Sequence, residues 1–483
     1  MKNSRISILN LLSVTVLIFI GAVMLLPYLN RPLWYDEALT VLKFVPLSFS
    51  AVYREYIIPN NHIVYTWMLK LVTGDSGGVV PCNIYMLRIP SVCAVLLSVY
   101  CLFVLLRRRI SLFISSAAVF LFICSQAFVI YGTAVRGYAF SVLSVVCAMT
   151  FYFKWKRNSS RLMLLSFFIA VLAGVGMIPS NLIIFSILPI LPDESEELSR
   201  TGTVSEYFKK RIKVLFIPPA AFLLFYAGIF GKLYRAIAQN NGWLSSSGAA
   251  LHIYSAFVIS FFPLIIPALP AVCLKVKKST LKNYYLYIIY AGVFLLPLIL
   301  CLRHPVPFPR VFLQFWPVWI YLTALYADRY LKLYRSSKRK IYIIIGVLIV
   351  LAVLSEKLFL LTFSVYLKPA SSQDDFFQPY YMTTAFQPEY IVDIIKEKNV
   401  PGPVFLSVYS DYPSVYYYSK IKHCPDSLWL FDSPSFRPDK KLKKVTVIVK
   451  NYLDMKIRMK QFNMNSYHRI AVSPNQLLFI LRK

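Results

Sequence analysis

Long apolar runs recur through the first three quarters of the 483-residue chain, and they constrain its fold more than any other feature. A helix needs roughly 17–25 mostly apolar residues to cross a bilayer. About 11 such runs are present, near 8–29, 85–106, 111–131, 137–153, 161–178, 180–192, 213–230, 251–273, 284–302, 311–327 and 341–361. The first is too long for a signal peptide and lacks a small-residue cleavage site, so we expect a retained span.

The distribution of charge separates a membrane protein from a nucleic-acid-binding one. The chain is 58% hydrophobic and 15% charged, yet 52 Lys and Arg against 21 Asp and Glu give a net charge of +31. With the N-terminus inside, 24 basic residues fall in the inner loops and nine in the outer loops that precede the C-terminal segment. This is the positive-inside pattern. A nucleic-acid-binding protein would gather its cations in one soluble domain, so we expect no nucleic-acid partner.

Eleven crossings predict two domains. Residues 1–362 are expected to form an α-helical polytopic membrane domain with a long first outer loop, at about 30–84. Residues 363–483 are expected to form a small α+β domain outside the membrane. The second prediction depends on strand-like runs rich in Val, Ile, Tyr and Phe, which lie at 403–409, 415–419, 444–449 and 476–482.

The eight cysteines do not form the pattern of a disulfide scaffold. Most fall in or beside the predicted spans, where Cys behaves as a small apolar residue. Cys82 and Cys424 are the clearly external ones, and they would be able to pair in an oxidising compartment. Nothing in their spacing requires this, and no Cys/His spacing typical of a metal site is present.

The first outer loop carries the candidate catalytic acids. Before residue 363 the outer loops contain four acidic residues, which are Asp36, Glu37, Glu55 and Asp75. Long loops are often functional, and acids directly after a span are costly unless solvated or used. Two interpretations of Asp36 and Glu37 stay open, a solvated loop entrance or a catalytic carboxylate at the membrane surface.

Outer turns supply candidate ligands for a phosphate group. His62 starts a short amphipathic segment, 62–73, which is too short to span and is expected to lie in the membrane interface. Arginine binds phosphate oxygens in a bidentate fork, but it also contacts lipid headgroups in such turns. The candidate residues are His62, Arg136, Tyr138, Arg303 and Arg310.

The order of several short motifs resembles the GT-C class of polytopic glycosyltransferases, in particular protein O-mannosyltransferases and bacterial lipid A aminoarabinose transferases. The resemblance covers roughly residues 1–362, and each motif is loose. The motifs are Trp34-Tyr35-Asp36-Glu37-Ala38, Asn61-His62-Ile63-Val64-Tyr65, Arg88-Ile89-Pro90-Ser91, the turn from Tyr131 to Tyr138, and Arg310-Val311-Phe312 with Pro317.

The resemblance implies a membrane glycosyltransferase whose donor is a sugar linked to a polyprenyl phosphate. It implies Asp36, or less readily Glu37, as the general base for an acceptor hydroxyl. The acceptor would be a glycan, a lipid or a protein, and the location a bacterial cytoplasmic (inner) membrane. Ala134 replaces the acid usual before the turn arginine, which weakens the case for a second carboxylate and for a divalent metal.

Two alternatives remain at the level of the sequence. A transporter or lipid-linked oligosaccharide flippase would be expected to bury charges near the middle of its spans, whereas the candidate charges here cluster at one face. An O-antigen polymerase or ligase would keep its main outer loop late in the chain, whereas the acid-bearing loop here comes first.

Overall fold

The computed structural model describes most of the first half of the chain and much of its C-terminal region. The described residues are 2–56, 61–74, 83–191, 212–239, 313–333, 387–400, 402–406, 412–432, 442–449, 452–472 and 477–482. They form two compact units. The first comprises the described residues of Met1–Leu29, Ser50–Met68 and Arg88–Leu361, and the second those of Asn30–Phe49, Leu69–Leu87 and Thr362–Lys483.

Helices dominate the described residues up to 333. In chain order they are α1 (Lys2–Leu25), α2 (Tyr35–Leu39), α3 (Phe49–Arg54), α4 (Ile63–Thr73), α5 (Ile84–Arg107), α6 (Leu112–Ile123), α7 (Gln126–Gly132), α8 (Tyr138–Asn158), α9 (Arg161–Met177), α10 (Asn181–Ile187), α11 (Ile212–Leu215), α12 (Ile217–Tyr226), α13 (Phe230–Gln239) and α14 (Trp316–Leu333). Within the described residues, four stretches are long and apolar enough to cross a membrane, namely Ile8–Tyr28, Ile84–Arg107, Tyr138–Asn158 and Ile217–Ala236.

Two of the predicted spans differ from the structure. The run at 111–131 is broken into α6 and α7, because Ser125 caps the second helix by accepting the N–H of Phe128 over 3.3 Å. The run at 180–192 forms only α10 and a short 3₁₀ turn at Leu188–Ile190, where Pro189 removes a helix donor. The runs at 251–273, 284–302 and 341–361 lie outside the described residues.

Small residues allow the helices of the first unit to approach closely. A Cβ atom at Gly174 of α9 would clash with Phe185 of α10 and Ser144 of α8. The Asn181 amide donates to the Gly174 carbonyl over 2.6 Å and accepts from the Ser141 hydroxyl over 2.8 Å. Small and hydrogen-bonding residues of this kind are how helices associate where burial in lipid supplies no hydrophobic driving force.

The second unit contains a five-stranded mixed sheet. Its strands are β1 (Val404–Leu406), β2 (Trp429–Phe431), β3 (Lys444–Val449), β4 (Ser466–Val472) and β5 (Leu477–Arg482), and its helices are α15 (Pro388–Glu397), α16 (Tyr412–Ile421) and α17 (Tyr452–Phe462). The strand order is β2-β1-β3-β5-β4. Strands β2, β1 and β3 are parallel, and β5 pairs antiparallel with β3 and β4. Because parallel neighbours need a crossover, α16 connects β1 to β2.

Apolar side chains of β1, β3 and β5 pack against those of α17. The residues that alternate with them along the strands, such as Leu406, Ile448 and Leu478, are buried as well, so both faces of the sheet are covered. Three of the predicted strand-like runs contain strands, β1, β3 and β5. The prediction for 415–419 is wrong, because these residues belong to α16. Their tyrosines favour strands, but Pro413 lies in the first turn of the helix, a position that suits proline.

Candidate functional site

A buried Arg–His pair lies at the turn between α7 and α8. Arg136 and His62 are only 3% and 4% exposed. The Nη2 atom of Arg136 lies 3.2 Å from Nε2 of His62. His62 immediately precedes α4. The side-chain amide of the neighbouring Asn61 donates to the Val52 carbonyl over 2.7 Å and so holds this segment in place. The predicted helix after His62 and the predicted turn around Arg136 are therefore both confirmed, and the structure brings the two residues together.

The protonation of His62 follows from its backbone contact. The N–H of Gly137 donates to Nδ1 over 2.9 Å, so Nδ1 is the bare nitrogen and the neutral ring carries its hydrogen on Nε2. Arginine offers only donors. The Nε2–H of His62 and the Nη2 of Arg136 are thus two donors side by side. Because Arg136 is a buried cation that offers only donors, the pair is a candidate anion site.

Aromatic rings and a glycine fix the shape of this pair. The ring of Tyr138 stands edge-on to His62, with centroids 5.2 Å apart, and the Arg136 guanidinium lies 5.8 Å from the Tyr138 centroid. A Cβ atom at Gly137 would meet Nδ1 of His62 at 3.0 Å and its Cγ at 3.4 Å. Any other residue at this position would therefore require the imidazole to shift by a few tenths of an ångström.

Two polar residues of α5 hold the backbone of the turn. Nη1 of Arg88 donates to the Thr133 carbonyl over 2.5 Å, and the Ser91 hydroxyl donates to the Ala134 carbonyl over 2.5 Å. Tyr65 of α4 shares a hydrogen bond of 3.2 Å with Ser91. The sequence presents Arg88 and Ser91 only as part of a motif, and their role as a clamp on the turn was not predicted. Their spacing of three residues places them on one face of an apolar helix, which is the signal that was available.

Tyr56 is a second residue that the sequence did not single out. It is 1% exposed, and its ring packs edge-on against Tyr226 with centroids 6.2 Å apart. Burial raises the pKa of its phenol, and the positive charge of Arg136 acts in the opposite direction. Tyr56 therefore keeps its proton at neutral pH, and its hydroxyl lies in the field of the Arg136 guanidinium.

The two adjacent acids lie in the second unit, in different surroundings. Glu37 is 3% exposed, and its Oε2 accepts the N–H of Trp34 over 3.2 Å at the start of α2. Asp36 is partly exposed in the same first turn. A carboxylate bound to the start of a helix stabilises that helix, so Glu37 has a structural contact that accounts for its burial.

The structure does not place the remaining predicted residues with the Arg136–His62 pair or with the two acids. Arg303 and Arg310 lie outside the described residues, as does Cys82, whereas Cys424 is buried in the second unit. Across the described ranges, the structure has no group of three or more His, Cys, Asp or Glu side chains that would be able to hold a metal ion.

The fold is similar to that of three solved structures. ArnT from Cupriavidus metallidurans in the apo state matches with a TM-score of 0.56 at 11% identity, over 99% of this chain and 98% of that chain. ArnT bound to undecaprenyl phosphate gives 0.55 at 10% identity, over 97% of each chain. The apo oligosaccharyltransferase of Archaeoglobus fulgidus gives 0.50 at 12% identity, over 86% of this chain and 64% of that chain.

No family sequence model and no curated protein sequence matches the chain. At these sequence identities the likeness to the solved structures concerns the fold. The GT-C-like fold expected from the order of the motifs is confirmed.

Proposed function

We propose that this protein is an integral membrane glycosyltransferase that moves a sugar from a polyprenyl-phosphate donor to a hydroxyl acceptor at the outer face of a bacterial inner membrane. Three observations support the proposal. The chain has helices able to span a membrane, a fold similar to that of ArnT, and a buried contact between Arg136 and His62. One of the ArnT structures has undecaprenyl phosphate bound.

The observation that carries the proposal is the buried contact between Arg136 and His62. A phosphate oxygen would accept from Nη2 of Arg136 and from Nε2–H of His62, which lie 3.2 Å apart. Charge-assisted hydrogen bonds of this kind are roughly twice as strong as neutral ones. The Tyr138 ring would orient His62, and the Tyr56 hydroxyl is a third donor in the field of Arg136. Arg303 and Arg310 remain proposed further ligands.

The proposed reaction is a single displacement at the anomeric carbon. The acceptor oxygen forms a bond to that carbon while the bond from the carbon to the phosphate oxygen breaks. The phosphate leaves with the electron pair, and donors already in place stabilise its growing negative charge. Asp36 takes the proton of the acceptor hydroxyl as general base. Glu37, which is buried and bound to the start of α2, is proposed to hold that helix rather than to exchange protons.

Binding and transfer are tested separately in lipid nanodiscs. Wild-type protein is expected to bind undecaprenyl phosphate, and Arg136→Gln to bind it at least about tenfold more weakly, since a buried charged hydrogen bond contributes about 1.5–3 kcal/mol. Arg235→Gln is the matched control, because Arg235 is exposed and its guanidinium donates to the Gly231 carbonyl of its own helix. Equal binding by wild type and Arg136→Gln would contradict the proposed phosphate site.

Transfer is measured with a panel of polyprenyl-phosphate sugars and membrane extracts as the source of acceptor. Asp36→Asn is expected to bind donor normally and to lose transfer, whereas full activity in this variant would exclude Asp36 as the base. A parallel measurement of transfer in the presence of a chelator shows whether a divalent metal is needed. Movement of intact lipid-linked sugar across liposomes, with none consumed, would indicate the flippase alternative. Assembly of lipid-linked repeat units would indicate the polymerase or ligase alternative.

A further inference from the structure

Helix α17 carries apolar side chains on two opposite faces. Its inner face packs against the sheet through Met455, Met459 and Phe462. On its outer face Leu453 is 67% exposed and Ile457 is 52% exposed. Their spacing of four residues places them one above the other on the helix. A helix that packs on a core normally turns its apolar stripe inward and a polar face outward. The outer face of α17 therefore indicates a second contact.

Strand β4 extends this outer face. Arg469 of β4 donates to the hydroxyl of Tyr452, the first residue of α17, over 3.2 Å. The rings of Tyr452 and Tyr467 both pack edge-on against the buried ring of Phe479, with centroids 5.4 Å and 5.7 Å apart. Both tyrosines are nevertheless exposed on their other sides. We call the exposed residues of α17, together with Tyr467 and Arg469, the α17–β4 surface.

Exposed apolar side chains are concentrated on the α17–β4 surface. Single exposed apolar residues are normal in proteins, whereas a cluster of them generally marks an interaction site. Among the described residues of 387–482, six large apolar side chains are exposed. Four of the six lie on this surface, and they are Tyr452, Leu453, Ile457 and Tyr467.

The same surface carries cations without acidic partners. Lys456 and Lys460 are exposed on the outer face of α17, and Arg469 is exposed on β4. The ion pairs among the described residues of this unit involve other cations, namely Lys420, Lys422 and Arg458. In this part of the chain no acidic side chain pairs with Lys456, Lys460 or Arg469. The surface therefore combines apolar groups with uncompensated positive charge.

This combination selects an anionic lipid surface as the partner. Lipid phosphates neutralise cations, and amphipathic helices with aliphatic and basic side chains lie at the boundary between headgroups and acyl chains. Tyrosine is also enriched at that boundary. A second copy of the chain would bring identical cationic surfaces together, and like charges across an interface are costly.

The course of the chain keeps the second unit close to a bilayer. The unit includes Asn30–Phe49, which follows the span Ile8–Tyr28, and Leu69–Leu87, which runs into the span Ile84–Arg107. Two membrane-spanning helices are thus continuous with it. A lipid surface is therefore present at high effective concentration, whereas a soluble partner must be recruited.

We propose that the α17–β4 surface docks on the anionic phospholipid headgroups of the bilayer that the chain spans. Leu453 and Ile457 enter the headgroup region, and the neighbouring cations pair with lipid phosphates. The inference goes beyond the proposed reaction and does not depend on it. Docking restrains the unit that also contains Asp36 next to the membrane in which a lipid-linked donor would lie.

The test measures the surroundings of a nitroxide on full-length protein in nanodiscs. The label is placed by Ile457→Cys in a background with the eight native cysteines replaced. In nanodiscs that contain phosphatidylglycerol, oxygen, which concentrates in lipid, should relax this label more than a water-soluble nickel chelate does. A label placed by Tyr390→Cys, on the exposed side of α15, is the control and should favour the nickel chelate. In phosphatidylcholine alone, the two labels should behave alike.

Charge variants test the role of the cations. Lys456→Gln should lower the ratio of docked to undocked protein about fivefold, the usual effect of one basic residue near an anionic surface. Lys396→Gln removes the same charge from α15, where the ammonium donates to the Lys422 carbonyl, and should leave docking unchanged. Leu453→Ser should also weaken docking. Thermal unfolding of each variant shows that it remains folded.

Three results would overturn the proposal. The first is a preference for the nickel chelate at position 457 in anionic nanodiscs. The second is equal docking with and without phosphatidylglycerol, or equal effects of Lys456→Gln and Lys396→Gln. The third is shielding of position 457 from both reagents in detergent together with a doubled particle mass, which would show that a second copy covers this surface instead.

Discussion

At the scale of the residue, Asp36 and Glu37 show how far adjacent positions can differ. Both are acids in the first turn of α2. Their adjacent positions alone do not show which of them is buried. The structure buries Glu37 against the N–H of Trp34 and leaves Asp36 partly exposed. This difference depends on where the backbone of Trp34 turns into the helix, which the residue types alone do not specify.

Replacement of Gly137 by Ala is expected to weaken undecaprenyl phosphate binding without unfolding the protein. The new Cβ would meet Nδ1 of His62 at 3.0 Å, so the imidazole has to shift by a few tenths of an ångström and its position beside Arg136 is disturbed. Loss of one charge-assisted hydrogen bond corresponds to about tenfold weaker binding, measured by titration in nanodiscs.

Gly231→Ala is the matched control for this substitution. No heavy atom lies within 4 Å of a Cβ at Gly231, and alanine is the better helix former. We expect unchanged binding and equal or greater thermal stability. If Gly137→Ala also leaves binding unchanged, the contact between His62 and the backbone does not orient the ring for phosphate.

At the scale of the element, the turn between α7 and α8 depends on α5. Ser91 donates to the Ala134 carbonyl and Tyr65 contacts the same hydroxyl. The turn therefore has its shape because a neighbouring helix binds its backbone. Residues in the turn do not encode this, since Ser91 precedes Ala134 by 43 positions.

Ser91→Ala is expected to destabilise the protein by about 1 kcal/mol, the usual contribution of one hydrogen bond, and to weaken phosphate binding severalfold. Thermal unfolding and donor titration measure the two effects. Ser98→Ala on the same helix is the control, since the buried Ser98 hydroxyl donates to the Ala94 carbonyl of its own helix. Equal effects of the two substitutions would mean that the clamp has no special role in donor binding.

The sequence predicts those elements whose cause is local. The helix after His62, its end at Gly74 with a positive φ of 70°, and the turn around Arg136 all follow from short patterns. The break at Ser125 was not predicted, because a single capping serine hardly changes the mean hydropathy of the run at 111–131. The helix at 412–421 was mistaken for a strand, because tyrosine-rich segments favour strands unless packing decides otherwise.

At the scale of the whole molecule, the order of several weak motifs predicts the fold, and no single motif is specific enough to do so alone. The GT-C-like fold follows from that order, whereas the pairing of His62 with Arg136 joins residues 74 positions apart and becomes visible only in the structure. The sidedness of the chain and the outer location of residues 363–483 remain predictions from charge.

Cysteine labelling tests that orientation. In a background with the eight native cysteines replaced, Ser159→Cys lies between α8 and α9, and Ser427→Cys lies between α16 and β2. Both positions are exposed. A membrane-impermeant maleimide added to intact spheroplasts should label position 427 and not 159, because cations are retained inside. Labelling of 159 alone would reverse the orientation and place the proposed chemistry on the cytoplasmic side.

The contacts that α5 makes with the turn also affect which sequence changes the turn tolerates. Arg88 and Ser91 bind the carbonyl oxygens of Thr133 and Ala134, and every amino acid has a carbonyl. The side chains of Thr133 and Ala134 can therefore change without loss of these contacts. Architecture that is maintained by backbone contacts places little selection on sequence, which fits a fold shared with ArnT at 11% identity.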